Sequence, residues 1–419
     1  MTTIKKEPSC ADDFDPGSLP ADVALSRIVN TIKPISATEK VALRNSLGRI
    51  LAENIISPIN VPSETNSAMD GYAIIGTDIP GSGTRELRVS GTAYAGVPFK
   101  GPVNSGECIR IMTGAVMPVG TDTVVMQEHV ERTNDSIVID SVTKTGANVR
   151  AAGEDIARGN PVLRKGTVIT PADTGFIASL GIGEISVTRK VRVAFFSTGD
   201  ELRSIGESLE NGCIYDSNRY TLHGMLSRLG VDIIDMGVVR DDRDALKSAF
   251  QQAANADVLI TSGGVSVGEA DYIKEILEMM GEVNFWKVAM KPGRPLAFGK
   301  LDNTWFFGLP GNPVSVMVTF YQFVQPALMH LMNAEHFMPL TFRVVCQSSL
   351  KKRPGRMEYQ RGILKRDESG ELVVHKTGAQ GSGILRSMTQ ANCFIILPME
   401  SGNIEPGTTV EVQPFFGVV

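Results

Sequence analysis

The chain has 419 residues, 42% hydrophobic and 21% charged, the composition of a soluble globular protein of two to four domains. With 41 basic and 46 acidic residues and a formal net charge of -5, no overall field favours nucleic acid or an anionic membrane. The scattered cysteines form no C-x-x-C pair and the histidines no H-E-x-x-H cluster, which argues against structural zinc and a disulfide scaffold, and no apolar run is long enough to span a bilayer.

Residues 1–19 are polar, lack the apolar stretch of a signal peptide and read as a loose tail in the cytoplasm. From Pro20, Ala24, Leu25, Ile28, Val29 and Ile32 give one apolar helical face that Pro34 stops. Ser36 and Glu39 resemble a capping box for a short second helix ending near Gly48. Residues 61–150 are rich in Gly, Val and Thr with short alternations such as "RELRVSGTAYAG" and "SIVIDSV", the signature of a β domain. Helical signal returns at "TPADTGFIASLG", with Thr170 as N-cap and Pro171 in the first turn. The expectation is a discontinuous helical domain, 20–60 plus 151–189, with 61–150 inserted in it.

Residues 190–333 alternate strand and helix. "VRVAFFSTG", "VDIIDMGVV", "ADVLITSGG" and "WFFGLPG" are strands, and the segments between the first three and after "ADVLITSGG" and "WFFGLPG" include helical patterns. Repeated β-α-β units imply a doubly wound, mostly parallel sheet. Residues 334–419 break into short strands separated by Gly and Pro, such as "TFRVVC", "ELVVHKT" and "CFIILPM", which predicts a small β barrel or sandwich.

Ligands of open parallel sheets bind beyond the carboxyl ends of the strands. That edge collects "STGDEL" with Glu201, "RDDRD" with Asp241 and Asp242, "TSGGVSVGEAD" with Ser262, Gly263, Gly264 and Asp271, and "GLPGNP" with Pro310 and Pro313. "KVAMKPGRP" adds Lys287, Lys291 and Arg294. Gly-rich turns entering helices bind anions through free N–H groups, lysines add charge for phosphate, and the carboxylates suit a hard cation such as Mg²⁺. Taken singly, each aspartate also reads as a helix cap, each lysine as a surface charge and "GLPGNP" as a tight turn; their convergence on one sheet edge is what favours a site. A second group lies earlier: Asp70 in "NSAMDGYAI", Thr113 in "IRIMTGA", Glu154 and Asp155 in "AAGEDI", each equally readable as a turn residue.

Together "NSAMDGYA", "IMTGA", "AGEDI", "STGDEL", "TSGGVSVGEADY", "KPGRP", "GLPGNPVS", "GRMEYQRG" and "QGSG" occur in one order, and the chain resembles the molybdopterin molybdenumtransferase family, bacterial MoeA and the E domain of gephyrin. The resemblance covers almost everything after the tail. It implies a molybdopterin-binding sheet domain, a C-terminal β domain and an elongated homodimer. It also implies insertion of molybdate into adenylylated molybdopterin, with Mg²⁺, release of AMP and formation of molybdenum cofactor. The matching functional positions are Asp70, Thr113, Asp155, Glu201, one of Asp241 and Asp242, Asp271, Lys287, Lys291, Arg361 and Ser382. Glu201, Asp241 and Asp242 are the expected Mg²⁺ ligands; Arg361, Ser382 and a lysine are the candidates for molybdate. Arg294 stands where many members have lysine, a planar fork in place of a point charge. No serine or cysteine nucleophile is expected, because cleaving a phosphoanhydride needs charge neutralisation and positioning. The expected partners are the upstream adenylyltransferase and acceptor molybdoenzymes, with each site shared between two subunits. A non-enzymatic scaffold and a pterin adenylyltransferase are the rival readings; the regions 61–150 and 334–419 argue against the second.

Overall fold

The structure, a computed structural model, describes residues 17–264, 273, 276, 277, 279, 281–335 and 339–415. Asp271 therefore lies outside the described residues.

Helix α1 (Ala21–Thr31) buries Ala21, Ala24 and Ile28. Their partners are residues of the central sheet unit, in one core with Phe195, Phe320 and Leu328. The chain then runs into a second unit, where Leu51, Ile55, Ile169, Ile177 and Val187 form a separate core. Helix α2 (Pro171–Ser179) opens this unit's last part with a reciprocal capping box between Thr170 and Asp173. The short helix expected after Ser36 is absent. Thr38–Ala42 is a strand, antiparallel to Glu184–Thr188, followed by one 3₁₀ turn at Leu43–Asn45. Glu39 does not close a capping box; its carboxylate meets Arg49 at 2.5 Å. Pairing Val41 with Ile185 puts it against an apolar core, and that tertiary gain overrides a short local helix signal.

Between the halves of this unit sits a six-stranded sheet spanning Gly71 to Asp140. Alternation along its strands buries both faces: Tyr72, Ile74 and Cys108 in one core, Ala73, Ile109 and Ile111 in another.

The central sheet contains β1 (Arg192–Thr198), β2 (Asp232–Val239), β3 (Val258–Ser262), β4 (Gly281–Lys287), β5 (Pro295–Leu301) and β6 (Thr304–Leu309), in the order β2-β1-β3-β6-β5-β4. β2, β1, β3 and β6 are mutually parallel, and β5 runs antiparallel to β6 and β4. Val193 and Phe195 face one core, Ala194 and Phe196 the other, so the sheet is covered on both sides. Helix α3 (Ser217–Arg228) belongs to the first face and α4 (Arg243–Gln252) to the second. Helix α5 (Pro313–Thr319) follows β6 and continues through a wider turn at Phe320–Val324 into α6 (Gln325–Leu331). Asn312 occupies the cap position of α5, although its side chain makes no capping hydrogen bond.

The C-terminal strands close into a small barrel. Met357–Arg366 pairs with both Leu372–Lys376 and Cys393–Leu397, and Phe342–Cys346 and Thr409–Pro414 complete the circuit. The barrel is stitched to the sheet unit by parallel pairing of Met290–Lys291 with Met357–Glu358. Tyr321 and Phe394, with rings 6.0 Å apart, pack across the same seam. This seam sets the barrel beside the carboxyl edge of the sheet.

Candidate active site

A cleft of about 1490 Å³ separates the carboxyl edge of the parallel strands from the barrel. Four of its walls are strand-end loops: Gly199 and Glu201 after β1, Asp241 after β2, Gly263 and Gly264 after β3, and Pro310–Pro313 after β6. The segment 290–295 brings Lys291 and Arg294, and the barrel brings Lys351, Lys352, Arg353, Arg356 and Ser382. Of the expected site residues, the cleft thus gathers Glu201, Asp241, Ser262, Gly263, Gly264, Lys291, Arg294, Pro310, Pro313 and Ser382.

The glycines after β3 answer first to the protein's own packing. Gly263 has φ +92° and a Cβ there would lie 2.4 Å from the Thr198 carbonyl oxygen; Gly264 has φ +69° and would strike Ile273. Both allow the β1 and β3 loops to close together at the floor of the cleft.

The two sides differ in charge. On the sheet side Asp241 is held above the ordinary carboxylate range, first by burial and then by repulsion from Asp200, Glu201 and Asp242. Asp242 caps α4, accepting from Ala245 N–H at 2.9 Å, and does not line the cleft. On the barrel side Lys352 is 4% exposed. Its ammonium donates to the carbonyls of Arg353 at 2.9 Å and Arg356 at 2.7 Å. Burial lowers its pKa, against the pull of Glu358 and Glu400.

Arg361 lies behind the wall. It is 1% exposed, and its guanidinium donates to Ser387 Oγ (3.1 Å), Tyr359 O (3.4 Å) and Gly381 O (3.2 Å). Burial pulls its pKa down to about 10, opposed by Glu358. It pins the 380–383 loop, whose Ser382 carbonyl accepts from Val314 N–H in α5 at 3.0 Å. Lys287 ends β4 outside the cleft lining, and its carbonyl accepts from Leu19 N–H at 2.7 Å.

Asp70, Thr113 and Asp155 do not line the cleft either. Asp70 and Thr113 meet each other on an exposed surface of the 71–140 sheet, where Thr113 donates its N–H (2.7 Å) and hydroxyl (2.8 Å) to one Asp70 oxygen. These bonds hold Asp70 below the ordinary carboxylate range. Asp155 sits on an exposed turn, its N–H bonded to Val61 O at 3.0 Å.

Sequence reasoning missed the cationic run "KKRPGR", residues 351–356, which stands in the region read as plain β structure. It also passed over Asp216 and Asn218 at the start of α3, which line the cleft. Among the described residues no group of three His, Cys, Asp or Glu side chains is arranged to hold a metal ion, and no helix is long and apolar enough to cross a membrane. Burial pushes the Cys108 and Cys393 thiols up to about 12 and raises that of Cys346, so none of the three is a ready thiolate.

A doubly wound sheet whose carboxyl edge carries a large, charge-lined cleft, completed by a separate barrel, defines a multidomain α/β protein with a cleft suited in size and charge to a polar, anionic small molecule. Residues 19–181 match the MoeA N-terminal region (domain I and II), 194–330 the "Probable molybdopterin binding domain" and 343–415 the MoeA C-terminal region (domain IV). The molybdopterin molybdenumtransferase of Haemophilus influenzae is 46% identical over 400 residues, covering 95% of this chain and 98% of that protein. The Nostoc protein of the same name is 37% identical, covering 90% and 88%. A crystal structure of the Pyrococcus horikoshii molybdopterin biosynthesis moeA protein superposes with TM-score 0.83 at 31% identity, covering 95% of this chain and 100% of that one. The chain belongs to the molybdopterin molybdenumtransferase family, a family of enzymes.

Proposed function

We propose that the cleft inserts molybdate into adenylylated molybdopterin, with release of AMP, to give molybdenum cofactor. The observation that carries this reading is the charge segregation of the cleft. Lys291, Arg294, Lys351, Lys352, Arg353 and Arg356 line it toward the barrel, where the acid Glu358 is paired with Lys291 at 3.4 Å, with Glu201, Asp216 and Asp241 on the sheet side. The cationic wall suits the phosphates of the substrate and the tetrahedral molybdate oxyanion; Lys291, Arg294, Arg356 and Ser382 are the residues assigned to anion binding. Arg361 acts on the anion only through the loop it pins.

Mg²⁺ is assigned to Glu201 and Asp241 at the other edge, two hard oxygen donors that leave the ion's remaining positions to water and substrate phosphates. Asp242, expected as a third ligand, instead caps α4 outside the cleft and adds only nearby charge. A divalent cation would offset the burial, and then the repulsion from Asp200, Glu201 and Asp242, that raise Asp241. An ion bound at Glu201 and Asp241 would supply charge neutralisation for cleavage of the adenylyl phosphoanhydride. The protein's own contribution is to bind the anions and orient the anhydride between the two walls, so that an attacking oxygen, from water or molybdate, forms the new bond as AMP leaves.

Asp70, Thr113 and Asp155 act from the partner subunit of a homodimer, each site joining the 71–140 sheet of one chain to the cleft of the other. Substrate comes from an adenylyltransferase and product passes to acceptor molybdoenzymes, consistent with a cytoplasmic enzyme. Incubation with adenylylated molybdopterin, molybdate and Mg²⁺ tests the reading: AMP release coupled to molybdenum insertion is expected. A protein that binds the substrate without releasing AMP is a scaffold, and one that forms the adenylylated species from ATP is an adenylyltransferase.

A further inference from the structure

Three buried polar side chains in the cleft have incomplete hydrogen bonding. Asp216, 2% exposed, caps α3 by accepting from Arg219 N–H with Oδ1 at 3.1 Å, and its Oδ2 has no hydrogen bond among the described residues. Asn218, 9% exposed, donates from Nδ2 to Ser262 Oγ at 2.8 Å and Gly311 O at 2.7 Å. A carbonyl only accepts, so the amide orientation is fixed. Its Oδ1 is left without a hydrogen bond among the described residues, as is Oγ1 of Thr198, 5% exposed. All three residues line the cleft.

Buried polar atoms are paired in native proteins, and a group of lone ones in a cleft marks where a ligand supplies the missing partners. A helix N-terminus alone would favour an anion. Here the unpaired atoms of α3 are acceptors, one of them a carboxylate oxygen, so phosphate and molybdate are repelled and the ligand must bring N–H donors. Within the substrate proposed above, the pterin ring carries such an edge: a ring N–H beside an exocyclic amino group. Adenine offers an amino group flanked by ring acceptors, which would oppose a second acceptor on the wall.

We infer that Asp216 and Asn218, with Thr198, form the wall that recognises the pterin by its N–H edge, leaving the phosphate end of the substrate to the cations of the barrel. The inference rests on the reading of the reaction given above, and names the residues that select and orient its heterocycle.

Calorimetric titration of the full chain with pterin-6-carboxylate, lumazine-6-carboxylate and AMP tests it. Lumazine replaces the amino group by an oxo group and turns a donor into an acceptor. The wild-type protein is expected to bind the pterin about 10- to 100-fold tighter than the lumazine, the range of a lost hydrogen bond to a charged acceptor. Asp216→Asn keeps the cap, since asparagine caps well. It places an amide NH₂ toward the ligand, and the preference is expected to collapse to within about threefold, with AMP affinity and thermal midpoint unchanged. Thr198→Val is expected to weaken pterin binding without favouring either ring. An Asp216→Asn protein that keeps the wild-type preference overturns the inference, as does one that loses affinity for AMP and not for the pterin. If Asp216→Asn lowers the thermal midpoint, Thr198→Val decides, and unchanged pterin affinity there overturns the wall. Wild-type protein that turns over adenylylated molybdopterin but does not discriminate the two rings removes the wall and keeps the reaction. Discrimination without AMP release removes the reaction and keeps the wall.

Discussion

Lys291 and Glu358 face each other across the seam between sheet unit and barrel. Their backbones are register partners in the parallel pairing that joins the two units, and Lys291 Nζ lies 3.4 Å from Glu358 Oε1. The carboxylate is 7% exposed and the lysine 52%, so the acid is fixed in the seam while much of the cation remains open to solvent. The second oxygen of Glu358 accepts from Gln360 Nε2 at 3.0 Å, which holds the carboxylate in place without Lys291.

Lys291→Met should therefore cost little stability, under about 1 kcal/mol for a half-exposed pair. It should raise the molybdate or substrate concentration needed for half-saturation and flatten the salt dependence of binding. Thermal melts and titrations at two ionic strengths check this. A large fall in melting temperature with unchanged binding would make Lys291 a seam residue only.

Arg361→Lys should do the reverse. A lysine cannot reproduce three contacts spread over Ser387, Tyr359 and Gly381, and buried hydrogen bonds of a charged donor are worth about 1.5–3 kcal/mol. The expected result is a lower thermal midpoint together with faster hydrogen exchange in residues 380–383. Unchanged stability with lost molybdate affinity would return Arg361 to direct contact with the anion, the role that the family resemblance implied.

A third prediction concerns the far edge of the sheet. Asp257 accepts from Arg189 Nη1 and Nη2, both at 2.7 Å, and from Arg192 N–H at 2.8 Å. Burial alone would raise its pKa, but these donors hold it below the ordinary aspartate range. A carboxyl depressed in the folded state stabilises the fold above its unfolded pKa and loses that contribution as pH falls through the folded value. Asp257→Asn should cost about 1.5–3 kcal/mol near pH 7. The gap between variant and wild type should start to narrow below about pH 4, where the carboxyl of the unfolded chain protonates, and close as pH falls through the lower folded value. Denaturant titrations across that range measure it; a gap independent of pH would mean the aspartate acts by shape alone.

The sheet loops were legible in sequence because β-α-β periodicity places Glu201, Asp241, Ser262 and Pro310 at one edge without any knowledge of distant contacts. The barrel's contribution was not. Lys351 to Arg356 reach the cleft only because Met290 pairs with Met357, and no local pattern announces that pairing. Arg361 carried a family motif, yet its position in a strand that turns its side chain inward decides what it touches. Asp216 reads locally as a helix cap, and it is one; only burial with an unpaired second oxygen sets it apart. The missed strand at Thr38–Ala42 has the same origin, since its partner lies at Glu184–Thr188, far along the chain.

The last prediction follows from the separation of Asp70 from the cleft. No residue of the 71–140 sheet is among those lining the cavity, although Asp70 and Thr113 form an ordered pair there. If a partner subunit supplies that pair, Asp70→Ala and Asp241→Asn homodimers should each be nearly inactive. A mixed dimer then carries both lesions in one site and none in the other. Random subunit exchange makes half the dimers mixed, each with one of two sites intact, so about a quarter of wild-type AMP release should return. If each site lay within one chain, every site of a mixed dimer would keep one lesion. Verified mixed dimers as inactive as their parents would place Asp70 outside the shared site and leave its bonds to Thr113 as a local turn.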